Sequence, residues 1–322
     1  MKEIGGYFEL EHFHGQERYP EAAALNTARQ ALGYLIRARK IKKLYLPYYL
    51  CSSVFELCAR EACPVEYYSV GADFLPRFDR LPGRDEWLYV VNYFGQLGRE
   101  TVLRMKQRYG NLILDNVQAF FQAPVEDVDT IYSCRKFFGV PDGAYLATDA
   151  VLPEKLEQDA SRDRMGHLLG RFETSASEWY GDFRAADDAF DREPLKAMSP
   201  VTHNLLRAID YEAVRRRRND NYAYLASRLG PVNPLRLDAP DGPYCYPFYC
   251  RNGMELKRKL TAERIFVPTL WPNVLEERAE DTLEYDYTAN ILPLPCDQRY
   301  GKEEMEAVCL MVREILNEGE NI

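Results

Sequence analysis

Two short stretches of this sequence decide its fold. Residues 111–118 read Asn-Leu-Ile-Leu-Asp-Asn-Val-Gln, and residues 133–143 read Ser-Cys-Arg-Lys-Phe-Phe-Gly-Val-Pro-Asp-Gly. The first stretch predicts an apolar strand that is buried on both faces and ends in a carboxylate, Asp115. The second places Lys136 after another short strand and before a turn that contains two glycines. Polar residues at strand ends are typical of ligand sites in parallel α/β sheets.

Similar apolar runs recur through the first half of the chain and alternate with helical patterns. Strands are predicted at residues 44–46, 65–69, 87–93, 112–115, 130–133 and 144–147. Helices are predicted over residues 28–39 and over residues 99–109, the second of them ended by Gly110. This alternation predicts an α/β fold with a mainly parallel sheet.

The pattern changes near residue 205. We predict a large α/β domain over residues 1–204 and a smaller C-terminal α+β domain over residues 205–322. The smaller domain is expected to hold a long helix from about Leu205, short strands at residues 246–250, 264–268 and 291–294, and a closing amphipathic helix. Residues 153–200 are polar and are predicted to be helix and loop material between the domains.

The composition argues against several classes of function. A net charge of -9 on 322 residues argues against a nucleic-acid surface. No apolar run approaches the ~20 residues that span a membrane, and the first ten residues are too polar for a signal peptide. Eight cysteines without a C-x-x-C pair, and four scattered histidines, indicate a reduced chain without a metal centre. We therefore expect a cytoplasmic protein.

The run Arg215-Arg216-Arg217-Arg218 is the main exception to this acidic balance. It lies in a helical pattern, which favours a solvated or ion-paired helix face over phosphate binding.

Asp115 and Lys136 together suit one cofactor, pyridoxal phosphate (PLP). A carboxylate that ends a buried strand needs a positive partner, and the protonated pyridine nitrogen of PLP is one. A lysine amine forms the Schiff base that holds PLP in its enzymes. Each residue also has a plainer interpretation, since Asp115 could cap the following helix and Lys136 could be an ordinary surface lysine.

A site for the cofactor phosphate is predicted at the start of the first helix. Asn26 and Thr27 precede this helix and can cap it, and helix N-termini attract anions. Ser133 could add a hydroxyl. The signal is weak alone, because most helices have caps.

At this point the residues resemble the DegT/DnrJ/EryC1/StrS sugar aminotransferases, which are PLP enzymes of fold type I. The resemblance runs over most of the chain. It is carried by Leu25-Asn26-Thr27-Ala28-Arg29-Gln30-Ala31-Leu32, Leu46-Pro47-Tyr48-Tyr49, Asn92-Tyr93-Phe94-Gly95, Asp115 with Gln118, Lys136, and Leu292-Pro293-Leu294-Pro295-Cys296-Asp297.

The resemblance implies a mainly parallel seven-stranded sheet sandwiched by helices, and it implies roles for the site residues. Asp115 would pair with the pyridine nitrogen, and Gln118 would contact the ring hydroxyl. Lys136 would form the Schiff base and then transfer a proton between the α-carbon of the amino donor and the cofactor. Ser133 and the segment of Ala28, Arg29 and Gln30 would hold the phosphate. Tyr49 is a candidate, beside Tyr48 and Tyr93, for the ring that stacks on the cofactor.

The implied activity is amino transfer, with glutamate as the expected donor, to a nucleotide-linked keto-sugar in polysaccharide or surface-sugar biosynthesis. Dehydratases of the same family carry histidine in place of the lysine, so Lys136 favours transamination. Relatives are homodimers that share active-site residues. Residues 199–204 or 217–221 could supply them here, or could be a helix surface within one protomer.

Departures from the family pattern keep alternatives open. Ala28 stands where the family has glycine, and Cys51 stands where an aromatic ring often stacks on the cofactor. Only two residues separate Ser133 from Lys136, fewer than is usual. These departures motivate a second hypothesis, a PLP-fold binding or regulatory protein that has lost transamination. A third hypothesis keeps PLP but runs a different reaction on amines.

Overall fold

The computed structural model of the protein describes residues 4–319, and its centre is an eight-stranded sheet. In chain order the strands are β1 (Ala23–Leu25), β2 (Lys43–Pro47), β3 (Val65–Val70), β4 (Pro76–Arg77), β5 (Glu86–Val91), β6 (Leu112–Asp115), β7 (Asp129–Ser133) and β8 (Ala144–Ala147). Their spatial order is β1-β8-β7-β6-β5-β2-β3-β4. Neighbours from β3 to β7 run parallel, whereas β1, β4 and β8 pair antiparallel.

Eleven helices accompany the strands within residues 4–319. They are α1 (Ala28–Ala38), α2 (Ser52–Arg60), α3 (Arg99–Tyr109), α4 (Gly166–Glu173), α5 (Tyr180–Ala189), α6 (Pro200–Leu206), α7 (Tyr211–Leu229), α8 (Gly253–Ala262), α9 (Val274–Glu277), α10 (Leu283–Asn290) and α11 (Lys302–Gly319). Helix α1 packs on β7 and β8, and α3 packs on β6. The central parallel strands β5, β6 and β7 are almost wholly buried because helices cover the sheet, as the apolar runs predict.

The predicted fold class is confirmed, with one more strand than the seven that the resemblance implied. The additional strand, β4, has two residues and lies at the edge of the sheet. A tight turn produces it: Phe74 N–H donates to the carbonyl of Gly71, and Gly71 N–H donates to the carbonyl of Leu75. This turn reverses the chain after β3 and aligns Pro76 with Val70.

The C-terminal part of the chain has its own small sheet and core. Strands β9 (Tyr246–Tyr249) and β10 (Ile291–Leu294) pair antiparallel, and α7, α8 and α11 pack around them. The core residues include Leu225, Leu256, Leu294, Met305 and Val312. The domain boundary proposed at residue 204 stays a prediction, and α6 spans that position.

Two predictions about this part of the chain are wrong. Residues 264–268 form no strand, because Arg264 has a left-handed backbone (φ 63°) and Pro268 lacks an amide hydrogen. The single long helix from Leu205 is broken after α6. Asp210 starts a new helix there, since its side chain accepts a hydrogen bond from Ala213 N–H.

All eight cysteines lie within the described residues and are free thiols. Among residues 4–319 there is no helix with the length and apolar content needed to cross a membrane.

Candidate active site

The site lies where β5, β6 and β7 end side by side. Val91 pairs with Asp115 in register, and Asp115 pairs with Ile131 on its other side. Because the three strands are parallel, Asn92, Asp115 and Ser133 lie at the same edge of the sheet.

Asp115 is a buried carboxylate with a raised pKa. It is 4% exposed, and Oδ2 accepts a hydrogen bond of 2.7 Å from the Tyr89 hydroxyl. Oδ1 accepts a bond of 2.9 Å from Val117 N–H, which makes a local turn rather than a helix cap. Burial raises the pKa of Asp115, and the two hydrogen bonds and the charge of Lys136 act against this rise. A cationic partner would therefore stabilise the ionised carboxylate.

Gln118 places an unused donor in the same region. It is fully buried, and Oε1 accepts a 2.8 Å hydrogen bond from Phe94 N–H. Phe94 lies in a short 3-10 turn after β5 and has a left-handed backbone (φ 55°). Nε2 of Gln118 has no hydrogen-bond partner among the described residues. A buried donor without an acceptor is costly, so a ligand acceptor at this point would be stabilising.

Lys136 lies in the loop after β7 and is exposed. The carbonyl of Cys134 accepts hydrogen bonds from the amides of Phe137 and Phe138, which makes this loop a tight turn. The ammonium group lies 5.8 Å from the centre of the Tyr244 ring, and its charge acts on Asp115. The structure therefore brings Asp115 and Lys136 to the same site, although 20 residues separate them in the sequence.

The start of α1 lies beside Ser133. Ala144 of β8 pairs with Leu25 on one side and with Ser133 on the other. Gly143 N–H also donates a 2.6 Å hydrogen bond to the carbonyl of Asn26. Thr27 caps α1, since its hydroxyl accepts a bond of 3.2 Å from Gln30 N–H.

The first turn of α1 presents backbone donors rather than side chains. Arg29 forms an ion pair with Asp191, and Nε2 of Gln30 donates a 2.6 Å hydrogen bond to the carbonyl of Glu193. Ala28 and Arg29 are partly exposed, and amides at this point in a helix have no intrahelical acceptor. These amides and the Ser133 hydroxyl are groups that could bind a phosphate.

Tyr49 lies in a cluster of aromatic rings. It is 1% exposed, and its ring centre lies 5.1 Å from that of Tyr93 and 4.4 Å from that of Trp271. The ring faces protein on these sides, so its predicted role in stacking on a cofactor gains no support from the packing. Cys51 is the residue directly before α2, and its Sγ accepts a hydrogen bond from the Ser53 hydroxyl.

Sequence reasoning missed Tyr89 and Tyr244. Both belong to apolar runs in which a tyrosine is an ordinary core residue. Their contacts with Asp115 and Lys136 arise from strand register and domain packing, which the local sequence pattern does not encode.

These groups fit PLP at three points. Asp115 is a buried carboxylate that a protonated ring nitrogen would neutralise. Nε2 of Gln118, which has no partner within residues 4–319, is a donor for a ring oxygen, and the start of α1 with Ser133 is suited to a phosphate.

Comparison with known proteins finds relatives by structure and not by sequence. No family model matches the sequence, and no curated protein matches it. An aminotransferase of the DegT/DnrJ/EryC1/StrS type from Brucella abortus is 15% identical, with a TM-score of 0.62 over 91% of this chain and 85% of that chain. The sugar aminotransferase CalS13 from Micromonospora echinospora is 14% identical, with a TM-score of 0.61 over 92% and 87%.

NtdA from Bacillus subtilis, solved with the bound cofactor PMP, is 13% identical and has a TM-score of 0.66 over 94% of this chain and 74% of that chain. At such low identity these likenesses establish the fold and leave the activity open. The chain therefore has the fold of the DegT/DnrJ/EryC1/StrS sugar aminotransferases.

Proposed function

We propose that this chain is a PLP-dependent aminotransferase that transfers an amino group from glutamate to a nucleotide-linked keto-sugar. The observation that carries the proposal is the meeting of Asp115, Gln118 and Lys136 at one edge of the sheet, with the start of α1 beside it. The donor, the nucleotide and the use of the product in polysaccharide or surface-sugar biosynthesis come from the family resemblance alone. The sugar aminotransferases among the proteins of similar structure support a sugar as the amino acceptor.

PLP, when bound, supplies a carbonyl that accepts amines and a ring that withdraws electrons from the substrate carbon. The chain's own residues would do the rest. Asp115 would hold a positive charge at the end of β6, and Nε2 of Gln118 would donate to a ring oxygen. Lys136 would hold the cofactor and then carry the proton between the α-carbon of the amino donor and the cofactor.

We further propose a homodimer in which a partner completes the site. Of the two candidate segments, residues 217–221 include Asn221, whose buried amide donates to carbonyls within the same protomer. Residues 199–204 include Ser199 and Thr202, which are buried against Asp142. Asn204 also bonds within the protomer, to the backbone of Glu11 and Phe13, so the exposed Arg217 is better placed to reach a partner.

An absorbance titration with PLP tests the proposed function. The wild-type chain should develop a band that borohydride reduces, and peptide mapping should place the reduced cofactor on Lys136. Lys136→Ala should lack the band, whereas Lys42→Ala, which removes a lysine with a 76% exposed side chain, should keep it. Added glutamate should then convert the bound cofactor to its aminated form, and the absorbance band of that form should replace the first band.

Two outcomes would contradict the proposal. If the wild-type chain develops no band, the protein is a binding or regulatory scaffold of this fold. If the band forms and no amino donor changes it, the chain binds PLP for a different reaction.

A further inference from the structure

The four-arginine run does not form one solvated face. Arg215 pairs with Glu212 and Asp241 at the surface, as an ion-paired helix face would. Arg218 is 1% exposed, and it forms no ion pair with a carboxylate of residues 4–319. Burial lowers the pKa of Arg218, and the charge of Asp297, which lies near without forming an ion pair with Arg218 among residues 4–319, acts against this. A buried guanidinium without a contacting carboxylate is costly, so its position calls for an explanation.

Neutral acceptors from three segments surround the Arg218 guanidinium. Nη2 donates to the Phe137 carbonyl at 3.2 Å, and Nη1 donates to the Pro243 carbonyl at 2.8 Å and to the Tyr244 carbonyl at 3.4 Å. Nε donates to Oε1 of Gln298 at 2.8 Å. The guanidinium also lies 4.5 Å from the centre of the Phe137 ring.

Gln298 completes this arrangement. Its Nε2 donates a 2.7 Å hydrogen bond to the same Phe137 carbonyl, so that carbonyl receives two donors from the C-terminal part of the chain. The Gln298 side chain is thereby fixed between Arg218 and the loop that carries Lys136.

The acceptors lie on both sides of Lys136. Phe137 follows Lys136 directly in the chain, and the ring of Tyr244 faces the lysine ammonium. One buried guanidinium therefore fixes both the peptide after the lysine and the segment against which the lysine rests. An arginine suits this task because its planar group offers five donors in a rigid arrangement.

We propose that Arg218, together with Gln298, is a positioning residue that holds Lys136 in place to react with the cofactor. It does so by fixing the Phe137 carbonyl and the Tyr244 segment in one arrangement. The proposal rests on the proposed function for its chemical purpose. The hydrogen bonds to the loop join groups of the chain itself, so they are testable separately.

The first test is amide hydrogen exchange of the chain without PLP. Arg218→Met and Gln298→Leu should both raise exchange at the amides of Phe137 and Phe138, which form the turn with Cys134. Arg216→Met is the matched control, since Arg216 is an exposed member of the same run, and it should leave these amides unchanged. If Arg218→Met fails to fold, Gln298→Leu alone decides the result, because Gln298 is only partly buried.

The second test follows the rate at which PLP is captured. At equal PLP concentration, the borohydride-reducible band should form about 10-fold more slowly in both variants, because a small displacement of a reacting group costs large factors in rate. A role in stability alone would lower the denaturation midpoint and leave this rate unchanged in the folded protein.

The two tests separate the two proposals. The positioning role would be overturned if folded Arg218→Met and Gln298→Leu exchange the amides of Phe137 and Phe138, and capture PLP, at the same rates as the wild type. If the wild-type chain captures no PLP, the proposed function fails. The exchange measurement then decides by itself whether Arg218 fixes the Lys136 loop, and unchanged exchange overturns the inference.

Discussion

At the scale of single residues, the site depends on one carboxylate that is expensive to bury. Asp115 is 4% exposed and has two neutral hydrogen-bond donors, the Tyr89 hydroxyl and the Val117 amide. The neutral donors reduce the free-energy cost of burying the ionised carboxyl group. They do not remove this cost, since burial still raises the pKa of Asp115. The apolar strand and its terminal aspartate made this residue identifiable from the sequence. Tyr89, its partner on the neighbouring strand, was not identifiable.

The raised pKa of Asp115 predicts a dependence of stability on pH. A carboxyl with a raised folded-state pKa contributes stability that is present below its unfolded pKa and is lost as pH rises through the folded pKa. We therefore expect the stability of Asp115→Asn to increase relative to that of the wild type as pH rises. Thermal unfolding of the chain without PLP, measured from pH 4.5 to pH 8, tests this.

The surface variant Asp163→Asn controls for the loss of one negative charge, because its side chain is 88% exposed. It should follow the wild-type curve. Added PLP should reverse the order at neutral pH, since the wild-type carboxylate then has a cationic partner. Parallel curves for Asp115→Asn and the wild type would contradict this account of Asp115.

At the scale of elements, the turn between Lys136 and β8 links the site to α6. The carboxylate of Asp142 is fully buried and accepts hydrogen bonds from the backbone amide of Ser199 at 2.9 Å and from its hydroxyl at 2.7 Å. Gly143 follows with a left-handed backbone (φ 115°), and its amide bonds to Asn26 before α1. One turn thus joins the lysine loop, the start of α1 and the start of α6.

Two glycines of this loop form a matched pair for mutation. A Cβ at Gly143 would lie 2.9 Å from the Thr202 methyl group, on a backbone that L-residues rarely adopt. A Cβ at Gly139 would meet no atom of the described residues within 4 Å. Gly143→Ala should therefore cost about 1–3 kcal/mol of unfolding free energy, and Gly139→Ala should change it by less than about 0.5 kcal/mol.

Urea denaturation of both variants measures these effects. Equal unfolding free energies of Gly143→Ala and Gly139→Ala would mean that the turn accommodates the added methyl group without losing stability. The geometry of the turn would then not be what links Lys136 to α6.

At the scale of the whole molecule, side chains of the C-terminal part reach into the main core. Oε1 of Glu284 accepts a 3.1 Å hydrogen bond from Val70 N–H at the end of β3. Nδ2 of Asn273 donates a bond of 3.1 Å to the carbonyl of Leu50. The Trp271 ring packs against Tyr49, and the main core cluster includes Trp271. The two parts therefore share buried surface, which favours joint unfolding.

This shared core predicts a single unfolding transition. The chain has three tryptophans, so two double variants leave one reporter each: Trp179→Phe with Trp271→Phe leaves Trp87, and Trp87→Phe with Trp179→Phe leaves Trp271. In each variant the fluorescence midpoint in urea should match the midpoint from far-ultraviolet circular dichroism.

A Trp271 signal that changes at lower urea than the circular dichroism would show that the C-terminal part unfolds first. The shared core would then contribute little to the coupling of the two parts.

The sequence alone determined the fold class and the order of most elements of the large sheet. Alternating apolar runs and helical periods are local properties, and so are the aspartate that ends β6 and the lysine that follows β7. Only the tertiary structure decided which residues meet across elements: Tyr89 with Asp115, Tyr49 with Trp271, and Arg218 with the Lys136 loop. It also decided against a strand at residues 264–268, which form no ladder with any other described part of the chain. The physical reason is that periodicity states which face of an element is buried, whereas register and packing decide what that face contacts.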